Sequence, residues 1–84
     1  PVKPLRVEYD PAADAVAIDF PGFGPGASAR TVRLDHHRAL DYDADGRLLS
    51  IELLSVSRGV LLDDLPEAGV ERRALSLVLP HRSA

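Results

Sequence analysis

The segment Asp41–Glu52 constrains the fold more than any other part of this chain, because it fits two incompatible structures. It runs D-Y-D-A-D-G-R-L-L-S-I-E, which matches the calcium-loop pattern D-x-D-x-D-G-x5-E at every required position. It also contains Asp45-Gly46, a pair typical of a tight turn between two β-strands. A calcium loop of this kind joins two helices, so the choice decides the architecture.

The residues that flank this segment favour the turn. On both sides apolar residues alternate with polar ones, with the period of two that is typical of half-buried strands. In an extended strand Glu52 would lie roughly 20 Å along the chain from the turn, too far to close the same cage. We therefore predict a two-residue hairpin turn at Asp45 and Gly46. The alternative is a calcium site built from Asp41, Asp43, Asp45 and Glu52.

An earlier hairpin is predicted from the N-terminal third of the chain. Residues 5–10 and 15–20 both alternate with a period of two. Between them Pro11 fixes its φ angle, and the side chains of Asp10 and Asp14 can accept hydrogen bonds from nearby backbone N–H groups. Asp10, Pro11 and Asp14 are thus structural turn residues rather than a carboxylate pair for acid–base chemistry. Residues 31–34 and 40–42 continue the strand pattern.

The strand after the second turn is apolar on both of its sides. Leu49, Ile51 and Leu53 share one side, and further apolar residues occupy the other. Two apolar sides are typical of a central strand, a strand beneath a helix, or a contact surface between subunits. The candidate interface residues are Leu48, Leu54 and Val56.

The C-terminal part predicts a helix over about residues 65–75. Asp64 can cap it, Pro66 suits its first turn, and Glu67 follows the cap by three residues. Val70, Ala74 and Leu77 would then form its apolar stripe. The alternation of leucines near residue 77 leaves open that part of 65–79 is strand, and residues 80–84 are predicted to be disordered. The predicted fold is a small α+β domain: an antiparallel β-meander of about five strands with one C-terminal helix.

Composition narrows the function. The 84 residues suffice for one domain, 1–84, and a net charge of −3 argues against a nucleic-acid partner. No run is long enough to cross a membrane, so we expect a cytoplasmic protein. There is no cysteine and no convincing nucleophile–base pair, so we expect no cofactor and no enzymatic activity. A small enzyme or ligand binder whose site forms between subunits remains an alternative.

Two motifs resemble a known family. Residues 9–18 are similar to a Y-D-P-x-x-D-A-x-x-I signature, and residues 41–54 to a D-Y-D-x-D-G-x-x-x-G-I-E-x-L run. Together they resemble the domain of unknown function 2283 family of small prokaryotic proteins, over about residues 5–58. The chain departs from the two motifs at Ala17, where the family usually carries an aromatic residue, and at Ser50, where it usually carries glycine.

The resemblance implies a small β-rich domain without an established activity. It also implies that the acidic run is a turn within a sheet. Some members look like neighbours of toxin-like proteins, which implies an antitoxin-like binding role. The functional prediction is therefore a non-enzymatic interaction module that binds itself, as a dimer or higher oligomer, or a small protein partner.

Overall fold

A computed structural model describes residues 5–79 of the chain; the predicted disordered tail, 80–84, lies outside these residues. Within these residues five strands, a single 3₁₀ turn and one α-helix follow one another. They are β1 (Arg6–Asp10), β2 (Ala15–Asp19), β3 (Arg30–Arg33), β4 (Arg38–Tyr42), β5 (Leu48–Leu54), the 3₁₀ turn Val56–Arg58 and α1 (Ala68–Val78).

All five strands join one antiparallel sheet in the order β1-β2-β5-β4-β3. The predicted α+β class, with five strands and a C-terminal helix, is confirmed. The strand order differs from that of a meander, because β5 returns to lie between β2 and β4. β5 therefore has a neighbouring strand at each edge, as predicted for a central strand. Its residues Leu49, Ile51 and Leu53 are buried on one side, whereas Ser50 and Glu52 lie on the other.

The core lies on one side of the sheet, which we call the core face. Val16, Ile18, Ile51 and Leu53 point to it and have no exposed surface. The strand register places Val16 opposite Leu53 and Ile18 opposite Ile51, so these side chains stack across the β2–β5 seam. Ala74 of α1 and apolar residues of the segment 56–65 complete the core.

The helix begins and ends three residues later than predicted. It spans Ala68–Val78 instead of 65–75, and its N-cap residue is Glu67, with a left-handed φ of 61° and no side-chain capping bond. The predicted cap, Asp64, instead accepts a hydrogen bond from the guanidinium of Arg38. The predicted stripe was wrong at Leu77, which is 76% exposed. No residue of the described 65–79 segment is in a strand.

Arg38 ties this C-terminal segment to the sheet. Its guanidinium donates to the Asp35 carboxylate at 2.9 Å, to the Leu61 carbonyl at 3.1 Å and to the Asp64 carboxylate. The hydrogen bond from Arg38 is the main cause of a lowered pKa at Asp35. Because the Arg38 side chain is largely buried, its bonds to Leu61 and Asp64 fix where the chain runs after β5.

Candidate functional site

The side of the sheet opposite the core carries no helix within the described residues, and we call it the open face. It is formed by the alternate residues of the five strands, which point away from Val16, Ile18, Ile51 and Leu53. The register arranges them in cross-strand rows. Its members are Arg6, Glu8, Asp10, Ala15, Ala17, Asp19, Thr31, Arg33, Ala39, Asp41, Ser50, Glu52 and Leu54.

One row is organised around the carboxylate of Asp41. Ser50 on β5 donates its hydroxyl to one Asp41 oxygen at 2.9 Å, and Thr31 on β3 donates to the other. Both carboxylate oxygens are therefore engaged across three strands. These bonds help to bury Ser50, which is only 7% exposed.

The adjacent row places an ion pair above an alanine. Arg33 and Glu52 lie in register on either side of Ala39, and their charged groups approach to 3.6 Å. The pair passes over the small side chain and so accounts for the 6% exposure of Ala39. Both charged side chains are more than half exposed, so the pair contributes only about 0–1 kcal/mol and can open at little cost.

A shallow depression of about 180 Å³ lies on the other half of the open face. Ala15 and Ala17 form its floor, and Glu8, Asp10 and Glu52 surround it. The floor is low because both residues carry only a methyl group. Within residues 5–79, no three carboxylate or imidazole side chains converge closely enough to hold a metal ion.

The open face is predominantly acidic. Its five carboxylates are those of Glu8, Asp10, Asp19, Asp41 and Glu52, against the two guanidinium groups of Arg6 and Arg33. Burial raises the pKa of Asp19; Arg6 lowers it, and the neighbouring Glu8 and Asp41 raise it further. A positive charge brought to this face would relieve the repulsion among these carboxylates.

The two predicted aspartates of the first hairpin turn form hydrogen bonds in two different parts of the molecule. Asp10 accepts hydrogen bonds from the backbone of Ala12 at 3.0 Å and of Ala13 at 3.2 Å, as expected for a turn. Asp14, with φ at 53°, instead reaches a distant part of the chain. Its carboxylate accepts from the N–H of Ser57 at 3.0 Å and from its hydroxyl at 2.7 Å. Asp14 thereby holds the 3₁₀ turn against the first hairpin.

The chain reverses at Asp45-Gly46, but the turn is of a different type from the predicted one. The Gly46 N–H donates to the Asp43 carbonyl at 3.1 Å, so the turn spans residues 43–46. Only Gly46 has a positive φ there, of 82°, whereas a type I′ turn needs positive values at both central residues and a type II′ turn needs one at the first, Asp45. The Asp43 carboxylate accepts from the N–H groups of Asp45 and Arg47, which fixes this wider turn.

The alternative calcium ligands are not brought together. Asp43 is held by the backbone of its own turn, Asp41 by Thr31 and Ser50, and Glu52 lies beside Arg33. The candidate interface residues also separate. Leu54 lies half-buried at one end of the open face and Leu48 packs against the core. Val56 is 4% exposed and belongs to the core, so it offers no contact surface in the folded domain.

One unusual side chain, that of Glu71 on α1, was not predicted from the sequence. It has no exposed surface, and neither carboxyl oxygen has a hydrogen-bond partner within the described residues. Burial, reinforced by the negative charge of Glu67, raises its pKa to about 7. Glu71, Ala74, Leu75 and Val78 have the i, i+3, i+4, i+7 spacing of a buried helical stripe, a signal that could have identified it.

These features define a small α+β domain in which an antiparallel sheet carries a helix on one side and an acidic, small-floored surface on the other. Residues 6–57 match the family described as Protein of unknown function (DUF2283), and the chain belongs to that family. No curated protein and no solved structure matches the chain. The match covers all five strands and ends before α1. Among residues 5–79 no helix has the length and apolar character needed to span a bilayer.

Proposed function

We propose that this protein is a non-enzymatic interaction module that binds a basic protein partner through the open face of its sheet. The observation that carries the proposal is the composition of that face: five carboxylates and two guanidinium groups around a floor of alanines. A partner surface rich in Lys or Arg is complementary to this charge.

The depression beside Glu8 and Glu52 supplies an anchor point for such a partner. Its floor of Ala15 and Ala17 can accept the aliphatic part of a Lys or Arg side chain, while the acidic rim receives the charged end. Leu54, half-buried at the end of the same face, adds an apolar contact. The Arg33–Glu52 pair is weak enough to exchange its Arg for one from the partner.

Charge also favours a different protein over a second copy of this chain. Two open faces brought together would set a net negative surface against another, which opposes association. A basic partner removes the same repulsion. An antitoxin-like role would be one instance of this chemistry, since it requires binding a protein partner without catalysis.

The test is affinity capture from the native cell, followed by measurement of the dissociation constant of each captured protein. Glu52→Lys reverses a charge on the open face, and Asp45→Lys makes the same change in charge at the hairpin turn. We expect Glu52→Lys to weaken binding by about tenfold or more and Asp45→Lys to change it by less than about threefold. If the wild type and Glu52→Lys bind the same proteins equally well, the open face is not the binding surface.

Light scattering after size-exclusion chromatography tests the self-association alternative. We expect a monomer over the whole concentration range. Ala17→Arg places a bulky side chain on the floor of the depression without adding negative charge. A dimer that this substitution dissociates would show that the open face binds a second copy rather than a basic partner.

A further inference from the structure

The attachment of α1 to the sheet combines a small apolar contact with a buried acid. Of its residues only Glu71 and Ala74 are fully buried, so a single methyl group and a carboxyl group lie at the centre of the contact. Leu75 and Val78 add partly buried surface. An 11-residue helix without a side-chain cap is marginal alone in water, so α1 depends on this contact for its own stability.

The groups that face Glu71 do not compensate its charge. On β1 the core-facing residues are Val7 and Tyr9, and on β2 they are Val16 and Ile18. Three of these are aliphatic, and the phenol of Tyr9 carries no charge near neutrality. Neither strand therefore offers Glu71 a cation on the side that the helix covers.

The remaining charged groups near the helix are engaged elsewhere, negative or, like Arg73 on α1, exposed on the outer side of the helix. Glu67, the N-cap residue of α1 and one turn before Glu71, carries a like charge. In the segment that leads into the helix, Asp63 pairs with Arg72 and Asp64 with Arg38. Within residues 5–79, an ionised Glu71 would therefore be a buried carboxylate with no hydrogen bond, which is stable only if it is protonated or if it moves into water.

The family match supports treating the helix and the sheet as separable units. The matched region, 6–57, contains every strand, whereas α1 begins at Ala68. The helix is joined to the sheet through residues 59–67, where Arg38 holds Leu61 and Asp64. This connection can persist while the helix itself moves.

We propose that α1 is a proton-controlled lid, closed over β1 and β2 while the Glu71 carboxyl carries a proton and released when that carboxyl ionises. Release places Glu71 in water and uncovers the core-facing side chains of β1 and β2. It therefore provides, on the face opposite the proposed binding surface, an apolar surface whose exposure depends on pH. The device is independent of which partner binds the open face.

Ionisation of Glu71 shifts the equilibrium between the docked and the released helix. The size of the shift follows from the pKa of Glu71 in each of the two states. The pKa is about 7 when the helix is docked and 4.5 when Glu71 is in water. The ratio of open to closed helix then rises by about 300-fold in total, and by on the order of 70-fold between pH 5 and pH 8. The rise is complete above pH 7, where the docked carboxyl is itself ionised.

Amide hydrogen exchange across this pH range, corrected for the intrinsic chemical rate, tests the lid. We expect the protection of α1 amides to fall by on the order of 70-fold from pH 5 to pH 8, while amides of β2 and β5 keep theirs. Glu71→Gln should abolish the dependence, because the amide does not ionise. Glu67→Gln, an exposed change on the same helix, should retain most of it.

Three outcomes would overturn the proposal. The first is α1 protection that does not change with pH, and the second is a dependence that persists unchanged in Glu71→Gln. The third is α1 and sheet amides exchanging together at every pH, which would mean that the domain opens only as a whole. If Glu71→Gln does not fold, the pH dependence of exchange in the wild type and in Glu67→Gln still tests the lid. Protection of α1 that falls with pH while sheet protection does not supports it, and either the first or the third outcome overturns it.

Discussion

Replacing Glu71 by Gln should change how the stability of the domain depends on pH. The folded-state pKa of Glu71 is about 7, raised from 4.5. An acid whose pKa is raised by folding favours the folded state while it is protonated in both states, and it loses that advantage as pH rises from 4.5 to about 7. Above pH 7 the loss is complete.

The size of the effect follows from that interval. A difference of about 2.5 pKa units corresponds to about 3 kcal/mol. Glu71 lies in the first turn of α1, where the helix dipole favours an anion by about 0.3–1 kcal/mol, so the cost of desolvating the carboxylate outweighs this attraction. Against a total stability of roughly 5–15 kcal/mol for a domain, the loss is substantial. It is an upper bound, because opening of the helix would relieve it.

Urea denaturation at several pH values between 4.5 and 8 measures this effect. The difference in unfolding free energy between Glu71→Gln and the wild type should shift in favour of the mutant by up to about 3 kcal/mol across the range. Burying the amide of Gln at position 71 has a cost that is the same at every pH. This cost shifts the whole plot of the free-energy difference against pH but does not change its slope. For Glu67→Gln, the control, the difference in unfolding free energy from the wild type should change by less than about 1 kcal/mol across the same pH range. A difference that is flat with pH would refute the assignment of a buried, protonated Glu71.

Three further substitutions test the supports of the fold by the same measurement. Gly46→Val should cost about 1–2 kcal/mol or more, because Gly46 has a φ of 82° that a β-branched residue rarely adopts; an unchanged free energy of unfolding would contradict the turn described for residues 43–46. Arg38→Ala should cost about 2 kcal/mol through the loss of three hydrogen bonds, and Arg38→Lys should restore only part of it. Asp14→Ala should cost about 1–2 kcal/mol, since Ser57 loses two bonds; Asp45→Ala, at an exposed turn, should cost less.

The local patterns of the sequence predicted the elements but not their neighbours. Alternation identified strands around Tyr9, Ile18 and Ile51, because each strand buries one side in the core. The strand order could not be read in the same way, since the pairing of β2 with β5 joins segments that are far apart in sequence. The run of apolar residues in and around β5, which favoured a central strand, was the one clue to its position.

At the helix, partners distant in sequence overrode the local signals. Asp64 has the side chain of a good cap, but Arg38 engages it from β4 and the helix starts later. Glu71 lies on the buried stripe of the helix, although carboxylates are rarely buried without a partner. Because the stripe was predicted from apolar residues, Leu77 was assigned to it instead of Glu71. The open face was equally hidden, because its rows exist only once the register of five strands is known.

The central position of β5 also has a consequence for how quickly the molecule can form. The β1–β2 hairpin and the β3–β4–β5 unit each close short loops, whereas their junction along β2 and β5 must close a loop that runs from 20 to 49. Loop closure of this length costs chain entropy before any stacking between Ile18 and Ile51 repays it. We therefore expect the kinetic barrier at the seam between the two halves, so substitutions at Ile18 or Ile51 should slow refolding more than substitutions in either turn.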